Sequence, residues 1–317
     1  MTIIVDIIIS RGSGKVSQIM SILQTVTFGH FYFETGFLLR QSQLIGGMLY
    51  NSEVWYCLTN AQVEKLEEPD KMLLRRLFEA PISTPGESLY LESGSVPVSF
   101  ILKGRRIMFF HYLVTRNSNE MLYKFTARND WTETVKNDFE FFNLDLNIET
   151  IKSYKKEKFA KIVQKKVKEA AFQYLLDKKS DHSKMDGIVY DQELNTQEYL
   201  KNSSFSPHLA KLLFKFRCRM IQVRMNFKLS HADFNCPLCL KNEVAPEYFS
   251  DSQSHLLTCS VIRRSSIVLS ANTTVKYEHI FSKNTDEMLQ AIKLLKISLK
   301  IREQLLNMYE ERAQKKD

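Results

Sequence analysis

The sequence predicts a mainly α-helical protein on three observations. Apolar residues recur at three- and four-residue intervals along most of the 317-residue chain. Capping residues and first-turn prolines stand where those patterns begin. Neither an internal repeat nor a low-complexity tract interrupts them. Hydrophobic residues make up 44% of the chain, a normal globular share, and the length allows two modest domains with a core each.

The N-terminus is the exception. Met1-Thr-Ile-Ile-Val-Asp-Ile-Ile-Ile-Ser10 is an Ile/Val run, which predicts a short buried or edge β-strand. It is too short to span a bilayer and carries Asp6, and it lacks the basic start of a signal peptide. With no other stretch of transmembrane length, the expectation is an intracellular protein, nuclear or cytoplasmic, with no membrane partner.

Helical spacing appears over Lys15–Leu23 and Tyr32–Leu49. Thr59-Asn-Ala-Gln62 has the form of a capping box, and the helix behind it carries Val63, Leu66, Leu73, Leu74 and Leu77 on one face. Pro69 stands inside that pattern and is expected to break or kink it. Thr84-Pro-Gly-Glu87 predicts a second capping box. Pro97 opens a helix through Ile101, Ile107, Phe110 and Leu113, and Asp130 is placed to cap one bearing Trp131, Val135 and Phe139. From Lys155 to Leu175, Phe159, Ile162, Val163, Val167, Ala170, Ala171, Tyr174 and Leu175 form an apolar stripe. Lys178 to Ser206 is polar and has the composition of a linker. Ser206-Pro207 then opens a helix predicted to run to Phe227, with Lys211, Lys215, Arg217, Arg219, Arg224 and Lys228 opposite its apolar face. A last helix is expected over Asp286–Arg312.

The formal net charge is +8, which points to an anionic partner, with RNA or DNA as the usual one. Between Lys152 and Lys179, ten lysines face only Glu157, Glu169 and Asp177, a local charge of +7 (ten minus three). Lys155, Lys158, Lys161, Lys165, Lys168, Arg217 and Arg224 are therefore candidate phosphate contacts; the plainer alternative is a solvated helix face.

The five cysteines are an odd number, which argues against a closed disulfide framework. Cys57 and Cys218 stand alone in apolar surroundings and are expected to be core thiols. The other three belong to the most specific motif in the chain. Cys236-Pro-Leu-Cys239 is followed, fifteen residues on, by His255-Leu-Leu-Thr-Cys259. A Cys-x2-Cys turn pairs two thiolates on a tight loop, and His-x3-Cys sets two more ligands one helical turn apart. Four soft or borderline ligands fill a tetrahedron and leave no position for water, so the expectation is structural zinc. The polar segment between the pairs would draw folding energy from the metal, and Lys241 lies close enough in sequence to offset thiolate charge. Gly12-Ser-Gly-Lys15 resembles half a phosphate loop but lacks the earlier glycine and the following Ser/Thr. His30, His111 and His279 have no ligand-type partners at useful spacing and are expected to be structural.

Several segments, taken together, resemble the post-catalytic region of LINE-type (non-LTR) retrotransposon reverse transcriptases. They are Gln18-Ile-Met-Ser-Ile-Leu23, Asn51-Ser-Glu-Val-Trp-Tyr56, Leu66 through Arg76, Glu79-Ala-Pro-Ile-Ser-Thr-Pro85, Leu89-Tyr-Leu-Glu92 and the later Cys-Cys-His-Cys cluster. The resemblance covers roughly Ile3 to Arg263. It implies a palm edge and helical thumb-like domain over 1–145, a basic helical linker domain over 146–230, a CCHC zinc knuckle over 231–265 and a helical tail over 266–317. Pro69 and the long gap within the knuckle depart from the family pattern. So does the lack of any Asp-Asp pair, which the family's two-metal polymerase chemistry requires. The expectation is a chain that binds nucleic acid without polymerising it. The rival expectations are a protein-interaction remnant that self-associates through apolar helices around Trp55 and Trp131, and a piece of a complete RNA-directed DNA polymerase.

Overall fold

The structure, a computed structural model, describes residues 2–25, 28–116, 129–182, 185, 187–190, 192–226, 234–242, 250–272 and 274–314. Helices and turns make up nearly all of it; among the described residues the sole strand-like pairing is an antiparallel bridge between Asn235 and Ser250.

The expected N-terminal strand is a helix, Thr2–Thr25. Val5, Gly12, Val16, Ile19 and Leu23 are its buried positions, and at about 100° per residue they fall on one face. Ile4 and Ile7 point away from that face and are exposed. The β-branched run disfavours helix only weakly, and packing along one face overrides it. The Gly12-Ser-Gly-Lys15 segment lies inside this helix. A Cβ on Gly12 would come within 3.0 Å of Pro69 Cβ and 2.8 Å of Met48 Sδ, so the glycine serves close helix packing.

Pro69 does not end its helix, which runs as Asn60–Phe78. The lost N–H is offset by burial on both sides of it: Leu66, Asp70, Leu73, Leu74 and Leu77 are all fully covered. The Thr59 capping box forms as expected, with Thr59 N donating to Gln62 Oε1 at 3.0 Å and Gln62 N to Thr59 Oγ1 at 3.3 Å. The second expected box does not form. Helix Gly86–Ser93 has Pro85 at its cap, and Thr84 turns its hydroxyl to Met220 Sδ at 3.3 Å instead.

The chain folds as two units. Unit 1 comprises Met1–Leu77, Pro85–Asp181 and Tyr190–Gln197. In it the helix Tyr32–Leu39 continues through a π-helical turn, Arg40–Ile45. Arg40 is buried there and donates to both carboxylate oxygens of Asp70 at 2.6 Å; Tyr90 adds a third donor to Asp70 at 3.2 Å. The helix Val98–Val114 packs against Asn129–Phe141 and Lys156–Lys179. Arg106 on the first clamps Asp138 on the second at 2.6 and 3.0 Å. Trp131 is fully buried and donates its indole N–H to Glu53 O at 3.0 Å, so it belongs to the unit's own core. His111 stacks on Phe159, with Nε2 3.1 Å from Tyr154 O, a structural role. Cys57 is exposed, in an irregular stretch outside any helix, which corrects the expectation of a core thiol; Cys218 is buried.

Unit 2 comprises Phe78–Thr84, His182–Val189 and Glu198–Asp317. Ser206 caps helix Pro207–Arg217, accepting from Leu209 N, with Pro207 in the first turn. The helix ends ten residues earlier than the pattern predicts, because Arg219 takes a left-handed backbone (φ 51°); Phe227 and Lys228 lie outside the described residues. The last helix, Thr285–Gln314, is the spine of the unit. Its inner face carries Met288, Ile292, Leu295, Ser298 and Arg302, and the short helices of residues 237–271 pack along it. No helix among the described residues is long and apolar enough to cross a membrane.

Gly94 ends helix Gly86–Ser93 at φ 65°, and a Cβ there would stand 2.1 Å from Thr196 N. Gly94→Ala is expected to lower the unfolding free energy by about 3 kcal/mol in urea titration. Gly14→Ala, in an exposed helical position with open space around it, should instead raise it by up to about 1 kcal/mol.

Candidate metal centre

Four side chains from two short segments converge in unit 2. Cys236 caps the helix Pro237–Lys241, whose first turn carries Pro237 and whose middle carries Cys239. A proline in the first turn costs no hydrogen bond, and Leu240 N donates to Cys236 O at 3.0 Å to close the loop. His255 opens the helix His255–Thr258, its backbone N–H donating to Ser252 Oγ at 3.1 Å. Cys259 follows, at the joint with helix Ser260–Arg264, and its N–H donates to His255 O at 2.7 Å. The two ligands are therefore one turn apart, as the spacing predicts, although the helix is broken between them. The Asn235–Ser250 bridge ties the two segments together just ahead of the ligands.

The ligand atoms of Cys236, Cys239, His255 and Cys259 all lie within 4.8 Å of one another, and all four residues are buried. Cys239 Sγ is 3.6 Å from Cys259 Sγ and 3.4 Å from His255 Nε2. Thiolates bonded at about 2.3 Å to one tetrahedral ion stand about 3.8 Å apart. The donor set and its spacing thus suit a four-coordinate metal, with every position filled by protein.

Left to one another, two of the three thiols hold their protons firmly. The hydrogen bond with Cys259, then burial, pushes Cys236 up to about 12. Burial, then the neighbouring Cys236, pushes Cys239 up to about 11. Cys259 is lowered, chiefly by the hydrogen bond from Cys236, against the effect of burial.

The surroundings of the cluster include residues that the sequence did not single out. Asp251 is 1% exposed and receives Arg302 Nη2 at 2.7 Å and Arg224 N at 2.9 Å. Its own N–H donates to Phe234 O at 2.6 Å. Gln253 donates to Phe216 O at 2.9 Å and to Tyr277 Oη at 3.0 Å. An acid and an arginine 51 positions apart leave no local signal in a sequence. Lys241 places its ammonium over the Tyr309 ring, 5.1 Å from the centroid, anchoring the Cys-x2-Cys turn to the last helix.

The candidate phosphate contacts divide. Lys155, Lys158, Lys161, Lys165 and Lys168 are all exposed on unit 1, with Lys155 the cap residue of helix Lys156–Lys179. At the helical repeat, Lys158, Lys161, Lys165 and Lys168 share an arc of roughly 80°. Lys165 has Glu169 at 3.8 Å, and Lys158 lies 5.2 Å from the Tyr154 ring centroid. Arg217 is corrected: it is 4% exposed, donates to Ile280 O at 3.0 Å and lies over the Tyr199 and Phe281 rings. An arginine so enclosed holds the core of unit 2 together and offers nothing to a phosphate in solvent. Arg224 is partly buried and donates to Asn235 O at 3.1 Å, bracing the bridge beside the cluster.

No protein-family model, curated protein or solved structure matches the chain.

Metal ligation requires thiolates, and Cys236 and Cys239 both carry protons near neutral pH because their values are raised to about 12 and about 11. Metal uptake is therefore expected to release at least about two protons per ion, and affinity should rise at least about a hundredfold per pH unit through neutrality. Chelator competition at two pH values, with proton release followed by an indicator dye, measures both.

Proposed function

We propose that this chain is a nucleic-acid-binding module with a structural zinc site, corresponding to the thumb-to-knuckle region of a LINE-type reverse transcriptase. The observation that carries the binding function is the lysine arc of helix Lys156–Lys179. Lys158, Lys161, Lys165 and Lys168 face solvent on one side, and Phe159, Val163, Val167, Ala171 and Leu175 hold the other side in the core. A rigid row of cations needs no further geometry to follow a phosphate backbone. The helical fold and the order of the motifs, with the basic helix ahead of the four-ligand cluster, support the family correspondence. No Asp-Asp pair occurs in the chain, so the proposal assigns it binding and not polymerisation.

Zinc is proposed for the cluster on ligand chemistry. Three thiolates and one imidazole are a set typical of structural zinc, and four protein ligands leave no position at which a water could be activated. The site would then lock residues 234–242 and 250–264 to one another, while the lysine helix makes the contacts.

Metal analysis of the purified chain is expected to return one zinc per chain, lost in both Cys236→Ser and His255→Ala; retention in either variant would refute the assignment. Affinity for RNA or duplex DNA should fall roughly a hundredfold between about 50 and 200 mM salt, as about four phosphate contacts require. Replacing Lys158, Lys161, Lys165 and Lys168 with Gln should flatten that dependence. Binding that is absent, or indifferent to salt in the unmodified protein, would end the proposal.

A further inference from the structure

Unit 1 contains a cleft of about 790 Å³, within the roughly 300–1,000 Å³ typical of ligand sites. Its floor lies where helix Val98–Val114 meets helix Lys156–Lys179. There Gly104 comes so close to Val167 that an added Cβ would stand 3.0 Å from Val167 Cγ2. Phe109 and Tyr112 line the cleft with near-parallel rings, 6.0 Å between centroids and 17° between planes. Both are only partly buried. Four cations share the lining with a single carboxylate, Glu53: Arg40, which Asp70 neutralises, and Arg105, Lys156 and Lys168. Arg105 is tied to the backbone oxygen of Leu49, which fixes its position, while Lys156 and Lys168 are exposed. Lys168 also belongs to the solvent-facing lysine arc, so the cleft opens onto the same basic surface.

Aromatic rings and cations lining one cleft match one chemistry well. Unpaired nucleotides present a flat ring to stack and an anionic phosphate to neutralise, both within one residue's length. A duplex keeps its bases stacked on each other and offers such a wall only its backbone. We infer that this cleft takes unpaired nucleotides of a single strand. Their bases lie against Phe109 and Tyr112, their phosphates sit on Arg105, Lys156 and Lys168, and the strand continues along Lys161 and Lys165. Arg116 lies over one face of the Tyr112 ring, 4.3 Å from its centroid, so a base stacks on the ring's other face or displaces the guanidinium. The inference rests on the nucleic-acid function proposed above and names where on the chain a single strand differs from a duplex.

The test uses the full chain, a labelled polyuridine strand and a blunt duplex of equal length. Tyr112→Leu, alone or with Lys156→Gln, is expected to weaken strand binding about tenfold, leaving duplex binding within about twofold. Lys161→Gln with Lys165→Gln should weaken both together. Phe109 packs edge-on to Trp131 at 5.9 Å, so a leucine there risks the fold. Photocrosslinking of a 5-iodouridine strand to the unmodified protein therefore provides a second reading, with adducts expected at Phe109 or Tyr112. Unaltered strand binding in Tyr112→Leu with crosslinks elsewhere overturns the inference while leaving salt-dependent binding intact. So does equal loss for strand and duplex, or displacement of the strand by uridine monophosphate at comparable affinity, which would mark a mononucleotide site. A protein that binds neither probe at low salt defeats the inference together with the function beneath it.

Discussion

Three buried aspartates, each gripped by an arginine, are the constraint around which the helices are arranged. Asp70 is held by Arg40, Asp138 by Arg106 and Asp251 by Arg302, and each carboxylate is 1% exposed or less. A carboxylate removed from water to that degree is tolerated only when its partners stay in place, and losing one partner typically costs about 3–5 kcal/mol. The pairs therefore fix position and register more than they add stability. The first joins the π-helical turn to helix Asn60–Phe78, the second joins two helices of unit 1, and the third joins a loop to the last helix of unit 2. The π-helical turn is intelligible in these terms: widening the helix by one residue at Arg40–Ile45 re-aims the side chains of that turn, and Arg40 is the one that must meet Asp70.

Asp251 links this scaffold to the four-ligand cluster. It sits between the Asn235–Ser250 bridge and His255, and its partners come from both the loop at Arg224 and the long helix at Arg302. The helices that carry the ligands are only four or five residues long, too short to be stable by themselves. What holds them is burial of Leu238, Leu256 and Ile262 along helix Thr285–Gln314, the polar tie at Asp251, and the convergence of the four ligands. The sulfurs that could ligate a metal are also the ones that hold protons, so a metal-bound state of these loops would be coupled to pH in a way that the apolar core is not.

Much of this was legible in the sequence, and the exceptions have a common cause. The apolar stripe of helix Lys156–Lys179, the Thr59 and Ser206 caps, the extent of the last helix and the four converging ligands follow from local spacing, because local chemistry decides them. The N-terminal helix was hidden because β-branched residues are weakly strand-favouring, and only burial of Val5, Val16 and Ile19 against the rest of unit 1 reverses that preference. Pro69 does not break its helix for the same reason: burial around it outweighs one lost hydrogen bond. Arg217 looked like part of a basic face, yet the chain turns left-handed at Arg219 and the residues around it enclose the guanidinium. None of the Arg–Asp clamps has a sequence signature, since 30, 32 and 51 positions separate the partners.

The path of the chain has a consequence for how this protein can be taken apart. The polypeptide passes from one unit to the other five times, so neither unit is a continuous stretch. Phe78 stacks on Phe214 at 4.2 Å, and Tyr190 donates to the buried Glu92 at 3.0 Å; in both cases the residue comes from a segment remote from the body it completes. A cut at Glu198 would leave unit 2 without Phe78–Thr84 and His182–Val189, and would leave those two segments on the other piece without the body they complete. The molecule is therefore modular in space but not along its gene. Recombination, domain shuffling and expression of isolated pieces all meet seams in places where the fold has none.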